Sequence, residues 1–355
     1  MVSWFSSLIF GPDVWTQIKS KGRSLQCHLD VNGVILGQET IEGKLTPPEE
    51  YASIMLANGT YSQWIPGKSS KSYKAYVWED LHPGSNSDPA LRRVRKESLR
   101  QFTTTLVAHK HPLAQRVTRQ YRSLLSVLQR SPIFPGFSNL IRTLQENMIP
   151  HQFIFRTFGG DGELIRDYLA NEFPQIQLQS GRFDEGGVFH FRRDGHEVAI
   201  RDPDEFREVL KSGHWLVQDN FERWRRGQEQ GDYGKLFPFS SNPQDPILSI
   251  FADDNLEIVS TGNQRTIVCC YDAERRSLVS TQQASSRLIK VNPIEAALDP
   301  NYLTTRVSKA AEALLDPSRS KRSLVNAAIA TTAAVTALAA GILVHSFRSP
   351  ELLTG

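Results

Sequence analysis

Asp30, Thr157, Lys235 and the adjacent pair Asp253 and Asp254 each fall at or beside the end of a segment that reads as a β-strand, or in a loop next to one. As a set they suit phosphoryl transfer. A carboxylate can attack phosphorus, a hydroxyl and an ammonium can hold phosphoryl oxygens, and further carboxylates can bind Mg²⁺. Singly, each has a plainer reading: a strand-terminal Asp caps turns, a Thr follows β-propensity, a loop Lys is solvated, and an Asp-Asp pair starts a helix. The chemical reading therefore requires that these positions meet. Parallel strands of one open sheet would bring them together, because their carboxyl ends converge on a single crevice.

The segments around these residues have the required character. Leu25, Cys27 and Leu29 alternate with Gln26 and His28 in a strand that ends at Asp30. Phe137, Leu140, Ile141, Leu144 and Met148 form one face of a helix that opens at Pro135-Gly136 and is stopped by Pro150. Phe153-Ile154-Phe155 then reads as a buried strand reaching Thr157, and a second helix follows on Leu164, Ile165, Tyr168 and Leu169. Lys235 sits in the loop Asp232-Tyr233-Gly234-Lys235, the run Ile247–Phe251 leads to Asp253-Asp254, and Leu288–Val291 makes a last strand. This alternation predicts an α/β fold with an open parallel sheet flanked by helices.

Two stretches interrupt the pattern. Residues 37–132 are turn-rich at Pro66-Gly67 and Pro83-Gly84, then helical around 89–107 and 113–130, and are expected to form a helical insertion. Residues 180–205 switch to a period of two around Asp194-Gly195, which predicts a small β-hairpin insertion. The core is thereby expected over 22–36 and 133–310, with 1–21 as an N-terminal segment.

The order of the motifs resembles the haloacid dehalogenase superfamily. Asp30-Val31-Asn32-Gly33-Val34 is similar to its first motif, Phe155-Arg156-Thr157 to its second, Gly234-Lys235-Leu236-Phe237-Pro238 to its lysine motif and Phe251-Ala252-Asp253-Asp254 to its acidic motif, with Pro135-Gly136-Phe137 like the helix start before the second. The resemblance covers residues 24–36 and about 133–295, and both interruptions fall where that family inserts cap domains. It implies a Rossmann-like core in which Asp30 becomes an aspartyl-phosphate. Thr157 would hold a phosphoryl oxygen and Lys235 would neutralise Asp30 and the transferring group. The Mg²⁺ ligands would be Asp30, Asp253, Asp254 and the main-chain carbonyl of Asn32.

Asn32 departs from the family pattern, which places there an Asp that protonates the leaving group and then activates water. An amide can hydrogen-bond but cannot exchange that proton, and such help is worth ~10²–10⁴ in rate. The expected function is a Mg²⁺-dependent phosphohydrolase or phosphotransferase acting on a phosphorylated substrate. The alternative is a weak or inactive binding or adaptor protein of the same fold at a membrane. On sequence grounds, Asn32→Asp is expected to speed hydrolysis.

Composition sets the remaining bounds. Apolar and charged fractions are those of a globular protein, and a formal charge of +3 gives no reason to expect nucleic acid as a partner. The basic run Arg92, Arg93, Arg95, Lys96 and Arg100 reads as a solvated helix face. Cys27, Cys269 and Cys270 support neither a disulfide framework nor a zinc site, and suit a reducing compartment. Trp64, Tyr73, Tyr76 and Trp78 could line a pocket, although aromatic residues at this density are more often core. From Leu324 to Val344 there is no charged residue. That is about the 20 residues of a membrane-spanning helix. Arg319, Lys321 and Arg322 before it place the N-terminal body on the cytoplasmic side, and Ala333, Ala337 and Gly341 would suit a homodimer of such helices.

Overall fold

The computed structural model describes residues 13–37, 40–41, 44–59, 73–84, 88–260 and 265–316. Its strands are β1 (Ser24–Asp30), β2 (Thr40–Ile41), β3 (Lys44–Leu45), β4 (His151–Thr157), β5 (Leu178–Phe183), β6 (Phe189–Arg193), β7 (His196–Ile200), β8 (His214–Gln218), β9 (Lys235–Phe239), β10 (Ile247–Asp253), β11 (Val268–Asp272), β12 (Ser277–Val279) and β13 (Leu288–Lys290). Eight of them form one sheet in the order β13-β10-β1-β4-β8-β5-β6-β7. Neighbours from β13 to β5 are parallel, while β6 and β7 run antiparallel. The expected α/β fold with a mostly parallel, helix-flanked sheet is what forms.

Central parallel strands are covered on both faces and so read as continuous apolar runs. Every residue of β10 is buried, as are all of β1 after Ser24. Alternation along the strands then divides the core. Leu25, Cys27, Leu29, Phe153, Phe155, Ile250 and Ala252 pack in one cluster with the helices Pro135–Glu146, Gly162–Glu172 and Tyr302–Leu315. On the other face, Ile154, Trp215 and Val217 meet the helix Pro203–Leu210, and Phe251 lies in a cluster with Phe237, Phe239, Val268 and Cys270. Those four belong to a three-stranded sheet, β12-β11-β9, that serves as the second covering layer.

The hairpin expected around Asp194-Gly195 is present, with both turn residues at positive φ as a two-residue hairpin turn requires. It continues the main sheet through β5, because the antiparallel β5–β6 pairing gives its edge strand a partner. Between β1 and Pro135 lie the helices Pro48–Asn58, Tyr73–Tyr76 (running into a π-turn at Val77–Leu81), Pro89–Arg100, Phe102–Ala108 and Ala114–Leu128. Their Leu56, Leu99, Phe102, Val117 and Leu124 join the same apolar cluster as the first sheet face. The helix Pro48–Asn58 is buried all round from Tyr51 to Ala57, so it carries no amphipathic period by which a sequence would betray it.

Arg95 corrects the reading of the basic run. Arg92 and Arg93 are solvated, but Arg95 is fully buried, where it donates to the carbonyls of His82 and Gly84 and lies over the Trp78 ring. Tyr73 is core, and Tyr76 and Trp78 pack against it, whereas Trp64 lies outside the described residues. Cys27, Cys269 and Cys270 are buried and unpaired. Among the described residues no helix is long and apolar enough to cross a membrane. The segment 324–344, with Ala333, Ala337 and Gly341, falls outside them.

Candidate active site

From β1 the chain passes to β4 on one side and later returns to β10 on the other, so the strand order reverses at β1. Open sheets of this kind have their crevice there, outside the carboxyl ends of the strands. Asp30 ends β1, Thr157 ends β4 and Asp253 ends β10, with Leu29 level with Ala252 and Asp30 with Arg156. Three of the chemically chosen positions are thus neighbours by register alone.

Lys235 was expected in a loop, but it is the first residue of β9, buried and lying against the same crevice. Its Nζ donates to Asp30 Oδ1 at 2.6 Å and to Asp253 Oδ2 at 2.8 Å. Burial disfavours the ammonium, and the carboxylates of Asp253 and Asp30 outweigh that and hold its pKa above the ordinary lysine value. Arg156 fixes the strand that delivers it: the fully buried guanidinium donates to the carbonyl of Leu236 at 2.6 Å and forms a two-pronged ion pair with Asp219 beyond β8. His28 accepts from Arg156 at Nδ1 and contacts Gln26 Oε1 through Nε2, so it is the neutral tautomer, its pKa lowered by burial and by Arg156.

One oxygen each from Asp30, Asp253 and Asp254 lie within 4.8 Å of one another, a spacing that could hold a metal ion. Three carboxylates face one ammonium here. Burial, with Asp253 nearby, pushes Asp30 well above the usual carboxylate range and Asp254 up to about 7. An all-oxygen donor set with surplus negative charge fits a hard divalent cation such as Mg²⁺, whose charge would reverse both shifts. Gly33 makes room for Asp254. It sits at φ +78°, and a Cβ there would stand 2.6 Å from Asp254 Cγ. From the helical insertion, Lys74 comes into electrostatic range of Asp254, although burial lowers its own pKa.

Thr157 and Asn32 line the other side. Thr157 is buried, and its Oγ1 accepts from the Gly159 amide at 2.9 Å, which leaves the hydroxyl proton to donate. Asn32 donates its amide to Asp161 Oδ2 at 2.8 Å. A cavity of about 690 Å³ opens beside Thr157, bounded by Gly159, Ser180, Arg182, His190 and Gln218.

All the sequence-chosen residues therefore border one crevice, joined by several that were missed. Asp219 had a readable signal, since it follows the apolar run Trp215-Leu216-Val217 just as Asp30 follows its own strand. Asp161 lies in the run Gly159-Gly160-Asp161-Gly162 directly after β4, which marks a loop that approaches something closely. Lys74 had no local signal. The chain matches no family model, no curated protein and no solved structure.

Proposed function

We propose that the chain is a Mg²⁺-dependent phosphohydrolase or phosphotransferase of the haloacid-dehalogenase-like kind, acting through an aspartyl-phosphate at Asp30. The observation that carries this reading is the Lys235 ammonium bridging Asp30 and Asp253, with Asp254 completing an ion-sized acidic cluster. A carboxylate nucleophile beside a fixed cation is suited to attack on a phosphoryl group, whose negative oxygens it would otherwise repel. Asp30, Asp253, Asp254 and the main-chain carbonyl of Asn32 would hold Mg²⁺, which when bound neutralises phosphoryl oxygens. Lys235 offsets the charge on Asp30, and Thr157 donates its hydroxyl proton to a phosphoryl oxygen. The cavity beside Thr157 takes the rest of the substrate, and residues 37–132 serve as the cap.

Asn32 favours a second reading, a weak or inactive adaptor of the same fold, because its amide cannot shuttle protons. Phosphate release from generic phosphomonoesters with and without Mg²⁺ separates the two. Turnover that requires Mg²⁺ and disappears in Asp30→Asn, together with an acid-stable phosphoenzyme, is the expected result. No release from any of them would favour the adaptor. On the sequence of 324–344 we also propose a C-terminal membrane anchor. Deleting 323–355 should move the body from the membrane pellet to the soluble fraction, and equal fractionation of both forms would dismiss the anchor.

A further inference from the structure

Thr157 is one end of a row that crosses the main sheet. It stands level with Gln218 of β8, Gln218 with Arg182 of β5, and Arg182 with His190 of β6. Residues level with one another project from the same face, and neighbouring strands are about 4.8 Å apart, so the row runs outward from the phosphoryl position for roughly 14 Å. On this face Leu178 and Leu216 join the core cluster that holds Ile165 and Leu169 of the helix Gly162–Glu172. Beyond them Ser180, Arg182 and Arg192 are exposed and line the cavity of about 690 Å³ that Thr157 borders. The opposite face of the same strands is closed, because Phe189, Phe191 and Trp215 pack there with Phe206 of the helix Pro203–Leu210.

The charges lining this cavity do not cancel. Its acidic side chains are Glu163 and Glu197. Glu163 pairs with Arg166 at 3.2 Å. Glu197 stands opposite Arg192 in the antiparallel register, where opposite charges ordinarily pair. Its Oε1 instead faces His190 Nδ1 at 3.2 Å, while Asp184 meets the other ring nitrogen at 3.0 Å. Arg182 and Arg192 are thereby left with no hydrogen-bond or ion-pair partner among the described residues. One exposed arginine without a partner is ordinary, but these two lie on adjacent strands of one cavity wall. Arg182 is level with His190, two residues from Arg192, which makes the arginines diagonal neighbours within reach of one shared group. The guanidinium fork matches the oxygens of a phosphate or a carboxylate.

We infer that this cavity selects phosphomonoesters whose leaving group carries a second anionic oxygen group, phosphate or carboxylate, and that Arg182 and Arg192 bind that group. The inference deepens the phosphoryl-transfer reading and rests on its placement of the scissile phosphoryl group at Thr157. Thr157 and Arg182 are two strands apart, about 10 Å between their backbones, so a spacer of about six carbon atoms joins the two anions. Glu163 and Glu197, each already matched by a basic side chain, do not oppose the second anion. A neutral leaving group of the same length would leave both guanidiniums in water and gain nothing from them.

The test is titration calorimetry on the full chain in excess Mg²⁺ with three phosphonates, whose carbon–phosphorus bond survives the site: hexylphosphonate, hexane bisphosphonate and phosphonohexanoate. At least one of the two doubly anionic probes should bind about 10–100-fold tighter than hexylphosphonate, the usual worth of hydrogen bonds to a charged group. The tighter of them identifies the second anion as phosphate or carboxylate. In Arg182→Gln and in Arg192→Gln that preference over hexylphosphonate should fall to within a few-fold. Arg193→Gln, which removes an equal charge beside the Phe191 ring, should keep it. Equal binding of all three probes overturns the inference, and so does a preference that survives both glutamine variants or falls equally in Arg193→Gln. Hexylphosphonate that binds without any such preference leaves the phosphoryl reading standing and overturns this inference alone. A chain to which neither hexylphosphonate nor inorganic phosphate binds overturns the phosphoryl reading itself, and this inference with it.

Discussion

Gly33 and Asp254 share one small volume: the face of Gly33 that lacks a side chain is filled by the Asp254 carboxyl group, whose carbon stands 2.6 Å from where a Cβ would be. They are 221 positions apart in the chain, from the β1 turn and the β10 end. The glycine is doubly required, by its φ of +78° and by this contact.

Gly33→Ala should therefore act on the cation site more than on the fold. The backbone strain is worth about 1–2 kcal/mol. Displacing Asp254 should weaken Mg²⁺ binding by about 10–100-fold, as losses around a metal site do. Calorimetric titration with Mg²⁺ beside a thermal melt would check it, and unchanged affinity would show that Asp254 does not contact the ion.

Lys235→Met removes the only ammonium hydrogen-bonded to Asp30 and Asp253 among the described residues. Breaking a buried ion pair on one side costs about 3–5 kcal/mol, because the remaining charge stays buried. Denaturant unfolding should show that loss without Mg²⁺ and a smaller one with it, since the ion would offset the same carboxylates.

Asp254 sets the direction of a pH effect. Burial first, and Asp253 second, raise its pKa to about 7. Below that value the carboxyl holds its proton, and a cation must displace it to bind. Mg²⁺ affinity should thus be full above about pH 8 and fall by up to about tenfold per unit as pH drops below 7. Folding without Mg²⁺ runs the opposite way: this group's contribution to stability is present below the unfolded carboxylate pKa and is lost as pH rises through about 7. Asp254→Asn should flatten both dependences, which isothermal titration and melts across pH 5.5–8.5 would measure.

Asn32→Asp puts a carboxylate where an amide now donates to Asp161 at 2.8 Å. Two carboxylates that close must share a proton, so one of them titrates at higher pH than usual. The pair gains the acid–base capacity the amide lacks, and the saturated rate on alkyl phosphates should rise by at least the lower part of ~10²–10⁴. A flat or lower saturated rate in a folded variant that still binds Mg²⁺ would show that proton transfer is not what limits turnover.

Much of this arrangement is legible in the sequence. β4 and β10 are marked by the apolar stretches Phe153–Phe155 and Ile247–Phe251 that burial on both faces favours, and β1 by the alternation of Leu25, Cys27 and Leu29 with Gln26 and His28, and polar Asp30, Thr157 and Asp253 stand at their ends. The helices Pro135–Glu146 and Gly162–Glu172 were readable for the complementary reason, one apolar face against a polar one. What only the tertiary structure decided was who meets whom. Local period reports how deeply a segment is buried and not which strand lies next to it, so nothing in the sequence places β8 between β4 and β5. Lys235 reaches Asp30 across 205 residues because β9 joins a second sheet whose phenylalanines pack under Phe251, and Asn32 finds Asp161 across 129 because a glycine loop lets the backbone come near. The sequence by itself determined β1, β4, β10, the amphipathic helices beside them and the polar groups at the strand ends, because burial leaves a local pattern; packing of two apolar faces determined that those ends form one site.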